Sequence, residues 1–170
     1  MQITFYIFEK STFLKKHISP QFFFIQLNKH FILEQTNQNF FQISVKVNVA
    51  DIDQANHVNN VVYLRWVQAV SEGHWLAVAA PEMLKNYYWV AIRHEIDYKN
   101  SGFLGDELLL KTHLKEYGGV RSKRVVQIIR KSDSKVLVES LTTWILMASN
   151  TQKPARIPDD MMALFPMPMA

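Results

Sequence analysis

Between Gln42 and Val49, apolar Ile43, Val45, Val47 and Val49 alternate with polar Gln42, Ser44, Lys46 and Asn48. That strict period of two predicts a strand with one buried face. The period then lengthens. From about Asn59 to Ala80, Val62, Trp66, Ala69, Val70 and Ala77 fall on one helical face, widened by Tyr63, Val67 and Leu76, and Pro81 marks the end. Gly73 inside this helix costs roughly 1 kcal/mol relative to Ala, which points to a close neighbour. Strand periodicity returns over Tyr87–Lys99, Asp106–Tyr117, Val120–Arg130 and Val136–Ala148, punctuated by Ser101-Gly102, Gly118-Gly119 and Ser132-Asp133-Ser134. The order strand, long helix, four strands predicts an α+β domain, an antiparallel sheet with one helix packed on it.

The flanks of that domain, 39–149, read differently. Eight of the eleven Phe lie in the first forty positions, where Gly is absent, so 1–38 is expected to be an N-terminal extension. Charges from Glu9 to Lys16 interrupt any secretory apolar core, and little Arg or Ser supports an organelle transit peptide, which stays open as a second reading. Pro154, Pro158, Pro166 and Pro168 predict an irregular tail over 150–170. No apolar run suits a membrane span, and a cytoplasmic protein without membrane contact is expected. With no Cys, disulfides, thiolate metal sites and Cys nucleophiles are excluded. The net charge of +4 is modest. Arg121, Lys123, Arg124, Arg130 and Lys131, interleaved with Val, Ile and Ser, predict the solvated face of a strand rather than a nucleic-acid surface.

Candidate chemistry concentrates between the first strand and the helix, in Asp51 to Trp66 (DIDQANHVNNVVYLRW). Two carboxylates, three Asn and one imidazole stand just before an apolar run, where burying them without partners is costly. Asn59 and Asn60 are suited to satisfy the free N–H groups of a helix start. The first helical turn carries a partial positive charge that favours an anion or a polarised carbonyl. A carboxylate, an imidazole and a helix start are parts from which an acyl-transfer site is built. Other chemistries fail on spacing. A calcium loop opened by Asp51 would have Ala55 at its fifth place, Asn56 where Gly is required and Val62 in place of the closing Glu. No zinc spacing, nucleophile elbow or phosphate-cradling Gly loop occurs.

The combination Asp51-Ile52-Asp53, His57-Val58-Asn59-Asn60 and Tyr63-Leu64-Arg65-Trp66 resembles the hotdog-fold thioesterases, in the branch of the 4-hydroxybenzoyl-CoA and acyl-ACP thioesterases. Ile96-Asp97-Tyr98 with Leu104-Gly105-Asp106-Glu107-Leu108 matches a second block, and Arg156-Ile157-Pro158-Asp159-Asp160 a third, so that the resemblance covers about residues 41 to 165. It implies a sheet wrapped around one central helix and hydrolysis of acyl-CoA, or alternatively acyl-ACP, at a site shared in a homodimer or a dimer of dimers. A non-catalytic acyl-binding protein is the other class it implies. Asp53 matches the catalytic carboxylate, acting as nucleophile or general base. His57 and Asn59 match positions that orient the acid and the water, with Asn56 as the alternative amide. N–H groups of Asn60 and Val61 would hold the oxyanion. Lys99, Arg121 and Lys123 are candidates for the carrier's phosphates. No metal or cofactor is implied. Asp51 reads as a turn or ion-pair residue, and Asp106 as turn chemistry. In place of the branch's Asp-x-Asn-x-His, Ala55 holds the middle position. Asn56 stands where Gly usually precedes the His, a place its tolerance of left-handed backbone fits.

Overall fold

One helix organises the chain. The structure, a computed structural model, describes residues 31–33, by their backbone, and 40–165. Helix α1 spans Asn60–Val78 and is about 28 Å long at 1.5 Å per residue. It buries Val62, Tyr63, Trp66, Val67 and Val70, and each fully buried Val contributes about 1.5–3 kcal/mol. Ala77 is exposed, so the buried stripe is narrower at the C-terminal end than the periodicity predicts. Ser71 is buried instead, its hydroxyl donating back to Val67 O at 2.7 Å. Gly73 is buried, as expected of a close contact.

The strands form one antiparallel sheet in the order β1-β2-β4-β5-β6-β3. They are β1 (Phe31–Leu33), β2 (Phe41–Lys46), β3 (Tyr87–Tyr98), β4 (Glu107–Gly118), β5 (Arg121–Arg130) and β6 (Val136–Ala148). The bounds of the last four fall within one residue of the alternation. β2 stops earlier than predicted because Asn48 leaves the strand, and its Oδ1 accepts from Ala50 N–H at 2.9 Å to cap a 3-10 turn, Val49–Asp51. α1 packs on β2, β4 and β5. Ile43, Val45, Leu108, Leu110, Val126 and Ile128 meet it from the sheet.

Three features depart from the sequence reading. Part of the expected extension adds to the sheet: Phe31 pairs with Val45 and Leu33 with Ile43. Pro81 does more than end α1, since it opens a short helix α2 (Pro81–Asn86) at the first helical position, where its missing N–H costs nothing. The tail is partly regular. Helix α3 (Asp159–Ala163) follows Pro158, and Ile157, Met161, Met162 and Phe165 pack on Trp75, Leu114 and Leu146. Pro158 stands in extended backbone just before α3, while apolar residues four apart supply the face that folds the tail back.

The basic run on β5 is also split between faces. Lys123 points outward and pairs with Glu116 at 2.6 Å, but Arg124 is buried, so the expectation of one solvated face fails for it. Its Nη1 donates to His74 Nδ1 at 2.8 Å, and lies 3.4 Å from Thr112 Oγ1, and its guanidinium stacks over Phe165 at 5.3 Å. Burial pulls the Arg124 pKa down to about 10. A guanidinium only donates, so Nδ1 of His74 is the acceptor and its proton sits on Nε2. Burial, then the Arg124 charge, pulls the His74 pKa down to about 3 from an ordinary 6.5. His74 therefore stays neutral in the fold while the unfolded chain takes up a proton. Stability should fall as pH drops from about 6.5 toward 3, by up to about 1.4 kcal/mol per pH unit for this one group. His94 and His113, also held low by burial, act in the same direction. Urea midpoints measured between pH 7 and 4 should fall steeply for the parent and less steeply for His74→Gln.

Candidate active site

The segment Asp51 to Asn59 closes on itself before α1 begins. Ile52 and Val58 form a bridge, Asp53 N–H donates to His57 O at 2.9 Å, and Asn59 N–H donates to Asp51 O at 2.9 Å. Asn56 sits at the apex with φ 61°, the left-handed conformation its side chain tolerates, and its N–H donates to Asp53 O at 3.1 Å. Asp51 is buried, accepts from Asn48 N–H at 3.1 Å and pairs with Arg65 at 3.4 Å. Its role is structural.

Asp53 is half-buried. Its Oδ1 accepts from Ala55 N–H at 2.8 Å and lies 3.4 Å from His57 N–H, while Oδ2 has no partner among the described residues. One carboxylate oxygen is thus anchored and the other is free. Asp53 borders a cavity of about 200 Å³ whose wall includes His57, Asn60, Tyr63, Tyr98 and Lys99. On its other side it borders an open hollow with Ala55 and Asn59.

The helix start is only partly spent. Asn59 Oδ1 accepts from Val61 N–H at 2.9 Å, and Val62 N–H donates to Asn59 O at 2.9 Å. Among the described residues the Asn60 N–H has no partner, and Asn60 lines the cavity. Of the two donors expected there, Asn60 is free and Val61 is engaged in the cap. Asn59 faces the hollow rather than the cavity, and its carbonyl oxygen is the cap. Asn56 is exposed and lines neither. The His57 ring packs edge-on to Phe103 at 5.1 Å, and it is the His57 backbone, not the ring, that reaches Asp53.

Lys99 lies on the cavity wall and pairs with Glu139, whose carboxyl is held below its ordinary range by Lys99 and then by Gln127. Arg121 and Lys123 are elsewhere. Lys99 N–H bonds Leu137 beside Ile128, so Lys123 and Arg121 lie five and seven residues up β5, roughly 16–23 Å away. Within this chain the three cations do not converge.

A family model described as the thioesterase-like superfamily matches residues 47–165. The chain belongs to the thioesterase-like superfamily. Its reaction class is thioester hydrolysis. The long-chain acyl-CoA thioesterase FadM of Escherichia coli (strain K12) is 25% identical over 118 residues, which cover 66% of this chain and 86% of FadM. The fold matches Slr0204, a 1,4-dihydroxy-2-naphthoyl-CoA thioesterase from Synechocystis, with a TM-score of 0.65 at 18% identity, covering 74% of this chain and 94% of that one. It also matches the 12:0-ACP thioesterase of Umbellularia californica, with a TM-score of 0.64 at 15% identity, covering 73% of this chain and 48% of that one. The sheet-and-helix arrangement is the hotdog fold.

In this thioesterase-like chain the loop that walls the cavity is marked in the sequence by Lys99, Ser101-Gly102 and the Gly105-Asp106 block, but its ties to α1 are not. Gly102 N–H donates to Tyr63 Oη at 2.9 Å, and Gly102 O accepts from Val58 N–H at 2.9 Å, tying the 99–106 loop both to α1 and to the Asp53 segment. Arg130 holds the same loop through Asp106 at 3.1 Å and Ser101 O at 3.3 Å. Tyr98 was visible only as part of a motif block, and Tyr63 as part of one and as a core position of the helix. A Cβ on Gly102 would lie 2.8 Å from Tyr63 Oη, 3.1 Å from Val58 Cγ2 and 3.3 Å from Leu137 Cδ1. Gly102→Ala should therefore destabilise by about 1–3 kcal/mol. It should also lower thioester turnover by displacing the wall; an unchanged denaturant midpoint would show that the loop yields freely.

Proposed function

We propose that this chain hydrolyses acyl-CoA thioesters, with Asp53 as the reacting carboxylate. The observation that carries the proposal is the half-anchored Asp53 beside the free Asn60 N–H on one cavity. The free Oδ2 either attacks the thioester carbonyl or removes a proton from an attacking water. In the first course an acyl–Asp53 anhydride forms as the carbon–sulfur bond breaks, the CoA thiolate leaves, and water then cleaves the anhydride. In the second, hydroxide adds directly and the same thiolate leaves. Either course puts negative charge on the carbonyl oxygen, and the Asn60 N–H at the positive end of α1 is the donor that favours it. CoA rather than a carrier protein is the better reading because FadM, the relative most of whose length this chain matches, acts on acyl-CoA. Lys99 is the cation placed for a carrier phosphate.

The proposed working unit is a homodimer. β3 is a twelve-residue edge strand, interrupted by one register shift at Ala91/Arg93, and Val90 and Ile92 on it are exposed. A long edge of that kind calls for a partner, and pairing of two copies about a two-fold axis supplies one. Such a pairing would place the second copy beside the Tyr98 end of the cavity.

Free-thiol release from acyl-CoA, followed with a thiol-reactive dye, tests the chemistry without background from the Cys-free chain. Asp53→Asn should lower turnover by roughly 10²-fold or more, with the circular dichroism spectrum unchanged; full activity in that variant would remove Asp53 from the mechanism. Charging the edge with Val90→Lys and Ile92→Lys together should convert dimer to monomer in sedimentation and cut turnover at least about tenfold.

A further inference from the structure

α1 packs chiefly on β2, β4 and β5, and its core reaches β6 and β3 at Val138 and Ile96. Along β6 the inward positions run Val138, Ser140, Thr142, Trp144, Leu146, as the alternation and the burial of Val138 and Leu146 fix. On β3, Ile96 stands opposite Ser140, His94 opposite Thr142 and Ala91 opposite Trp144. His94 Nδ1 and Thr142 Oγ1 satisfy each other at 2.9 Å, and the His94 ring meets Trp144 edge-on at 6.4 Å. Ser140 Oγ and Trp144 Nε1 are buried and have no partner among the described residues.

Buried polar groups are nearly always paired, so two orphans on one face of one strand ask for a cause. Both can donate, and the indole N–H can only donate. What they lack is an acceptor oxygen. They are four residues apart, about 13 Å along the strand. One aromatic ring would not reach both.

The strip leads away from the proposed reaction centre. Tyr98 lines the Asp53 cavity and packs on Tyr63 at 5.9 Å. Ile96 and His94 follow it on the same face of β3, so Ser140 lies one pair of residues, about 7 Å, beyond Tyr98. Trp144 is half-buried and one strand in from the open edge. We infer that this strip is the acyl subsite and that it selects an extended acyl chain bearing a hydroxyl or keto oxygen, held by Ser140 or Trp144. The inference rests on the acyl-CoA reading above and adds the substrate class. A plain alkyl chain would leave both donors unmet, whereas an oxygenated chain would pair one of them.

The test is kcat/KM for dodecanoyl-CoA against hydroxydodecanoyl-CoA isomers with the hydroxyl moved along the chain. At least one isomer should exceed the plain chain by about tenfold, the scale of one hydrogen bond in a dry site. Ser140→Ala or Trp144→Phe should bring that ratio to about one. Ser140→Ala removes an unmet donor at little change in volume, so its melting temperature should equal or exceed the parent's. Binding of the same pairs to Asp53→Asn, by calorimetry, separates this inference from the chemistry: it should show the same preference even if turnover assigns catalysis elsewhere. No preferred isomer in turnover or binding, or a preference that both variants leave intact, would overturn the inference.

Discussion

A single helix about 10 Å wide faces a sheet whose six strands span about 24 Å. That mismatch in width governs the rest of the molecule. α1 seals β2, β4 and β5 with Val67, Val70 and Trp66, and the core there is apolar. β6 and β3 need other cover. At the C-terminal end of α1 the returning tail supplies it, with Met161, Met162 and Phe165 against Trp75 and Leu146. At the N-terminal end Val138 and Ile96 join the α1 core, and the cavity beside Asp53 lies at Tyr98, next along β3.

The same geometry explains why polar groups survive inside. Arg124 lies where β5 passes under the end of α1, and His74 and Thr112 rather than a carboxylate receive it. A buried cation with no anion beside it among the described residues is costly, and its neighbours are tuned to that cost, His74 by remaining neutral beside it. Near Asp53 the economy is reversed: backbone N–H groups hold one oxygen and leave the other available. The closed Asp51–Asn59 segment makes this possible because its own bridge and the Asn59 cap satisfy most of its backbone.

Much of this was legible in the residues. Period-two alternation located β3 to β6 to within a residue, since each strand has one face in the core, and the 3.6 period located α1. The fold followed from that order, and the motif blocks pointed to the family. Three things were hidden. Arg124 alternates correctly for an inward position, yet its charge marked it as solvated, because sequence alone does not show a neutral His waiting across the core. The tail's prolines masked an apolar face carried by Ile157, Met161, Met162 and Phe165. The tie of the Gly102 loop to α1 was missed because it depends on Tyr63, thirty-nine residues away, and only the fold brings the two within 2.9 Å.

The unequal margins of the sheet have a consequence for how copies associate. Among the described residues the β1 margin is three residues long and the β3 margin twelve. Growth into a fibre requires every subunit to offer adhesive surfaces at both ends. Among the described residues one margin is long and the other short, so in the proposed pairing two copies joined through β3 would leave only the short margins free. Association of that kind would be self-terminating, closing at two copies instead of extending into a fibre.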